Sequence, residues 1–111
     1  MILRVWRARA VAERAELYPR HLTETVLPQL RTMPGFIGAN LLKREHGREV
    51  EFVVETMWES MQAIERFAGL HPSMAVVEPA ARAALISFDT VVSHYEIIYT
   101  TLPIESDDTG T

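Results

Sequence analysis

From Val50 to Trp58 apolar side chains fall on both alternating sets of positions. Phe52, Val54, Thr56 and Trp58 share one face, and Val53 and Met57 the other. A strand with apolar groups on both faces needs cover on both sides. One face is expected to pack on the chain's own helices and the other on a second copy of the protein. Glu59-Ser60 then turns the strand into an amphipathic helix over 61–68. Ser60 suits the N-cap, Met61, Ile64, Phe67 and Ala68 form the buried stripe, and Gly69 is the stop.

The rest of the chain reads in the same way. Residues 2–9 form a first strand, with interleaved arginines that need a wet edge. Residues 12–26 form a helix on the spacing of Ala12, Ala15, Leu17, Leu22 and Val26. Pro19 predicts a kink there, or a helix that begins close to Tyr18. Pro28 and Pro34-Gly35 bracket a short second piece ending in a turn. A second strand over 36–45 and a third over 49–58 flank a hairpin turn at Glu45-His46-Gly47-Arg48. Ser73 is placed to cap a short turn through Val77, and Pro79 to open another through Ala84. Residues 85–99 hold the last strand, strongest over 91–99.

The order β-α-β-β-α-β is the ferredoxin-like pattern of an α+β domain. It predicts a four-stranded antiparallel sheet with both helices on one face, over residues 1–100. Residues 101–111 read as a flexible acidic tail. The face without helices would expose a large apolar patch in a monomer, so two sheets are expected to pair as a homodimeric α+β barrel.

Charge and cysteine narrow the function classes. The formal net charge is −4, and Glu105, Asp107 and Asp108 in the tail leave the body at about −1. Such a body lacks the basic face that nucleic acid requires. Arg4, Arg7 and Arg9 read as solvated strand residues or ion-pair partners of glutamates. Cysteine is absent, which removes disulfides, thiolate metal sites and cysteine nucleophiles. No apolar run reaches the roughly 18 residues of a membrane span. The arginines at 4 and 7 interrupt any export signal, so a cytoplasmic location is expected.

The first strand Ile2-Leu3-Arg4-Val5-Trp6-Arg7, the Pro34-Gly35 turn, the Met57-Trp58-Glu59-Ser60 junction with Ala63–Gly69 behind it, and Ser93-His94-Tyr95-Glu96 carry a resemblance. Over residues 1–99 the chain resembles the antibiotic biosynthesis monooxygenase family. The resemblance implies a dimeric α+β barrel with a small pocket in each subunit between sheet and helices. It also implies either cofactor-free oxygenation of quinols and polyphenolic polyketides or haem degradation. In the polyketide oxygenases an Asn four residues before the strand-end Trp is considered important; Val54 stands there. Haem-degrading members use an Asn in the first strand, this Trp, and a helical His about ten residues beyond it. The first strand here has no Asn, Ala68 sits at the helical position, and His71 follows Gly69, so no cofactor is expected.

A cofactor-free oxygenase must exclude water, stack an electron-rich ring and hold a base. Trp58 and Trp6 are candidates to stack the ring, and Asn40, disfavoured in a strand by propensity, to orient a hydroxyl. His21 and His94 are candidate bases, since histidine titrates near neutral pH. His46 falls in a turn and His71 in a loop, both expected to be exposed. No pair matches His-x-x-x-His, and no metal site is expected. The leading expectation is a cofactor-independent monooxygenase acting on a small aromatic or quinol-type molecule. The alternatives are a non-catalytic barrel that holds a small apolar ligand, and an isomerase or decarboxylase with His94 or His21 as base.

Overall fold

The computed structural model describes residues 1–102, so residues 103–111 of the acidic tail expected over 101–111 lie outside the described residues. The chain forms one antiparallel sheet in the order β2-β3-β1, with β4 and β5 both paired to the free edge of β1. These strands are β1 Ile2–Val11, β2 Phe36–His46, β3 Glu49–Trp58, β4 Ser87–Phe88 and β5 Ser93–Glu96. The helices are α1 Leu17–His21, α2 Leu27–Leu30, α3 Met61–Ala68 and α4 Pro79–Ala84. This is the ferredoxin-like α+β arrangement, with the fourth strand broken in two. Among the described residues no helix is long and apolar enough to cross a membrane.

The first helical region departs from the continuous helix expected over 12–26. Ala12–Arg14 is a 3₁₀ turn, and the helix proper begins at Leu17. Pro19 is then in the first turn, where a backbone donor has no helical partner anyway. Leu22–Val26 is a π-turn, closed by the Leu27 N–H donating to the Leu22 carbonyl. Pro28 accounts for that widening. In a regular helix its ring would meet the carbonyl of Glu24, and its missing N–H would leave that carbonyl unpaired. The chain therefore stays helical from 17 to 30 across two prolines.

The hairpin and its exit follow the expected chemistry. Gly47 takes φ 64° between β2 and β3. The Ser60 hydroxyl accepts a hydrogen bond from the Ala63 N–H at 3.2 Å, and Gly69 ends α3 at φ 81°. The turn expected from Ser73 through Val77 does not form. That segment instead lies along residues 90–92, with Ala75 N–H donating to Thr90 O at 2.9 Å and Val92 N–H to Ser73 O at 2.8 Å. Residues 90–92 thus spend their hydrogen bonds on this segment rather than on β1, which splits the last strand into β4 and β5.

Register decides what each face carries. β1 and β3 pair from Ile2↔Trp58 to Val11↔Glu49 without a break. Ile2, Arg4, Trp6, Ala8 and Ala10 therefore lie on the same face as Trp58, Thr56, Val54, Phe52 and Val50. The helices cover this face, and those five β3 residues are buried. Arg4, expected to be solvated, is only 5% exposed because its even position turns it inward. Two core clusters form there. One gathers Tyr18, Leu22, Val50, Phe52 and Val54; the other gathers Leu30, Trp58, Ala63 and Ile64. The outer face carries Leu3, Val5, Arg7, Arg9, Glu51, Val53, Glu55 and Met57, and among the described residues both core clusters under the helices lie on the opposite side.

Gly35 fixes the approach of α3 to the sheet. It has φ 85°, its carbonyl accepts from the Glu59 N–H at 2.8 Å, and an added Cβ would sit 2.5 Å from the Ala63 Cβ. Gly35→Ala combines a left-handed strain with a clash, so it is expected to cost about 1–3 kcal/mol. Urea unfolding measures this; an unchanged midpoint would contradict the close packing.

Candidate functional site

Between the inner face of the sheet and the helices lies a cavity of about 450 Å³. Trp6 and Tyr18 form its aromatic wall, with ring centroids 5.7 Å apart and planes tilted by 51°. Leu22, Val26, Leu30, Val54 and Phe67 add apolar surface. The polar groups are few: Arg4, His21, Gln29, Thr32, Thr56 and Glu78, together with the Tyr18 hydroxyl. An apolar pocket with a handful of polar groups is the usual form of a small-molecule site.

His21 comes from the end of α1, just before the π-turn that Pro28 imposes. Its side chain is 11% exposed, and its Nε2 is buried with no hydrogen-bond partner. Glu78 Oε1 lies 3.7 Å from that nitrogen, close enough for electrostatic pairing but beyond hydrogen-bond length. A buried, unpaired imidazole nitrogen beside a carboxylate is suited to accept a proton.

Trp6 also reaches the cavity, anchored by its indole N–H donating to Asp89 O at 2.7 Å. Trp58 does not line it. Trp58 is wholly buried, stacked on Phe67 at 5.5 Å with an interplanar angle of 24° and met edge-on by Phe36 at 5.2 Å. Phe67 stands between Trp58 and the cavity. The Trp58 indole N–H donates to Thr56 Oγ1 at 2.9 Å, which leaves the Thr56 proton free to be offered to the cavity. Trp58 thus shapes the wall from one layer behind it.

Asn40 and His94 sit elsewhere. Asn40 pairs with Glu55 in the register, so it projects from the uncovered outer face and donates to Glu55 Oε1 at 3.3 Å. It is on the opposite side of the sheet from the cavity. His94 faces inward, but its Nε2 lies 3.1 Å from Arg4 Nη1 and does not line the cavity. Because guanidinium can only donate, this Nε2 is the acceptor and the imidazole is neutral. Its free electron pair is therefore already engaged.

Arg4, Tyr18 and Thr56 belong to the site although motif and propensity do not single them out. Arg4 Nη1 also donates to Pro72 O, its Nη2 donates to Met74 O at 2.9 Å, and its guanidinium lies 5.5 Å above the Phe67 ring. Burial lowers its pKa from 12.5 to about 10, so it remains charged at neutral pH. Burial also pushes the Tyr18 phenol up, which keeps it protonated. The sequence signal for Arg4 and Thr56 is strand parity with Trp6 and Trp58. Tyr18 sits one turn before Leu22.

Comparison with known proteins adds the family. Residues 1–78 match the family model described as antibiotic biosynthesis monooxygenase. The fold superposes on a monooxygenase of Streptomyces coelicolor in complex with nanaomycin D, at 18% identity, TM-score 0.63, and coverage of 92% of this chain and 91% of that one. A variant of SnoaB, a cofactor-independent oxygenase of Streptomyces nogalater, matches at 21% identity and TM-score 0.61, covering 90% and 95%. The haem degrader of Mycobacterium tuberculosis, with two haems in its active site, matches at 23% identity and TM-score 0.56, covering 90% and 98%. No curated protein matches the chain.

His94 makes the site's surroundings sensitive to pH. Burial first, and the Arg4 charge second, lower its pKa below the ordinary 6.5. On acidification the unfolded chain takes up this proton before the folded one does. Stability is therefore fully present above about pH 6.5 and falls as pH drops below it. Thermal melts from pH 7.5 to 5.5 should fall more steeply for the native protein than for His94→Gln; equal slopes would contradict the assignment.

Proposed function

The chain belongs to the antibiotic biosynthesis monooxygenase family, and from that premise we propose that it is a cofactor-independent monooxygenase of small aromatic, quinol-type substrates. The observation that carries this reading is the buried His21 Nε2, without a partner, on the wall of an apolar cavity flanked by Trp6 and Tyr18. The substrate ring lies against the two aromatic side chains, and the cavity excludes water. His21 takes the proton of a phenol or of its keto tautomer, and Glu78 stabilises the imidazolium formed. The electron-rich anion passes one electron to dioxygen, and recombination forms a C–O bond to a peroxide. Protonation of the peroxide, loss of the second C–H proton and departure of water leave the quinone. One oxygen atom ends in the product and one in water.

Oxygen uptake with a panel of hydroquinones and hydroxyanthrones tests this. The native protein is expected to consume oxygen without releasing hydrogen peroxide, and His21→Gln to lower the rate about 100-fold or more. Uptake no faster than in buffer across the panel would overturn it. Val54 favours a second reading, since it puts an apolar side chain on the cavity wall where the resemblance to polyketide oxygenases calls for an Asn. Saturable binding of the same phenols with no oxygen consumption would select this non-catalytic alternative.

The functional unit we propose is a homodimer joined through the outer sheet face. Leu3, Val53 and Met57 lie there with Leu42, 46% exposed, and Tyr95, 53% exposed. The same face carries both signs of charge, in Arg7 and Arg9 with Glu51 and Glu55, as a two-fold contact between identical surfaces requires. Light scattering at micromolar concentration should give twice the chain mass of 12.6 kDa. A mass near 12.6 kDa would exclude the pairing.

A further inference from the structure

Arg4 is a buried cation with no carboxylate beside it among the described residues. The basic side chains that do approach a carboxylate among the described residues are Arg9, Arg44 and His21, beside Glu49, Glu51 and Glu78. Arg4 instead donates to two carbonyls and to the neutral His94 ring, and lies over Phe67. These contacts use three of its five N–H groups. The Nε–H and one Nη2–H have no protein acceptor among the described residues. Guanidinium N–H groups of this kind pair strongly with a carboxylate, which has an oxygen for each of two donors. The side chain lines the cavity, so a ligand there can reach it.

We propose that the cavity takes an aromatic carboxylate whose carboxylate group pairs with Arg4. The proposal rests on the reading that this cavity is the substrate site. A carboxylate arrives ionised at neutral pH and offers two oxygens to two free donors, whereas a phenolate offers one. Glu78, the acid on the cavity wall, is already beside His21 and would repel a carboxylate there, so charge also orients the ring. Arg4 then holds the acid and His21 faces the hydroxyl-bearing part of the molecule. Arg4 is a binding and orienting residue in this scheme, and the proton moves through His21.

Calorimetric titration with anthraquinone-2-carboxylate and its neutral carboxamide tests the proposal apart from turnover, because these oxidised rings have no electrons to give to oxygen. The carboxylate is expected to bind the native protein about ten- to a hundred-fold more tightly. That preference should vanish in Arg4→Met and survive in part in Arg4→Lys. Equal affinities for the native protein, or a preference that persists in Arg4→Met, would overturn it. Should Arg4→Met fail to fold, phenylglyoxal modification of the native protein decides. Protection of Arg4 by the carboxylate and not by the carboxamide supports the pairing, and equal modification in both refutes it. A carboxylate preference without oxygen uptake on the quinol panel would refute the oxygenase reading and leave this one standing. Uptake without the preference would do the reverse.

Discussion

The ten-residue antiparallel pairing of β1 with β3, closed at Ile2↔Trp58, is the constraint on which the rest depends. Side chains alternate across a strand, so one register assigns every residue of the two central strands to a face. It places the largest buried groups, Trp58 and Phe52, under the helices. The same parity forces Arg4 inward, between Ile2 and Trp6. A one-residue slip would send all of these to the outer face and bring Arg7 and Glu51 into the core.

Much of the architecture is legible in the sequence because local chemistry and tertiary context agree. The alternation of β3, the Ser60 cap, the Gly47 turn and the Gly69 stop each follow from one or two residues acting nearby. The departures have physical causes. Apolar spacing alone predicts a continuous helix over 12–26, and it does not register that Pro28 imposes a π-turn. Ser73 has the right chemistry for a cap, but residues 90–92 compete for the same backbone groups, and that contact spans about seventeen residues of chain. Long-range pairing of this kind leaves no local trace.

The site is half legible for the same reason. His21 and Trp6 stand on the cavity, while Asn40 stands behind the sheet. Propensity singles out Asn40 but cannot tell one face of a strand from the other; its pairing with Glu55 settles the face. Proximity along the chain groups Arg4 with Arg7 and Arg9. Parity with Trp6 separates it from them, so an inward arginine is implied by the alternation of the first strand itself. Family resemblance points to Trp58, and here that residue packs behind the cavity against Thr56 and Phe67 and does not line it.

Keeping Arg4 inside carries an energetic cost that the fold offsets without an opposite charge. Desolvating a guanidinium costs several kcal/mol even after relaxation. Hydrogen bonds to a charged group return about 1.5–3 kcal/mol each, and the contact over Phe67 adds about 0.5–2 kcal/mol. The three contacts and the ring are thus of the right size to hold the side chain in place. They bring no negative charge, because Pro72 and Met74 offer only carbonyls and His94 a neutral ring. A methionine would fill similar volume without the desolvation cost, so packing alone gives no reason for an arginine here. The fold also assembles the 70–78 segment, which supplies both carbonyls, by drawing 90–92 away from β1. The break in the last strand and the inward arginine are therefore one structural feature. Its net result is positive charge at the wall of an otherwise apolar cavity.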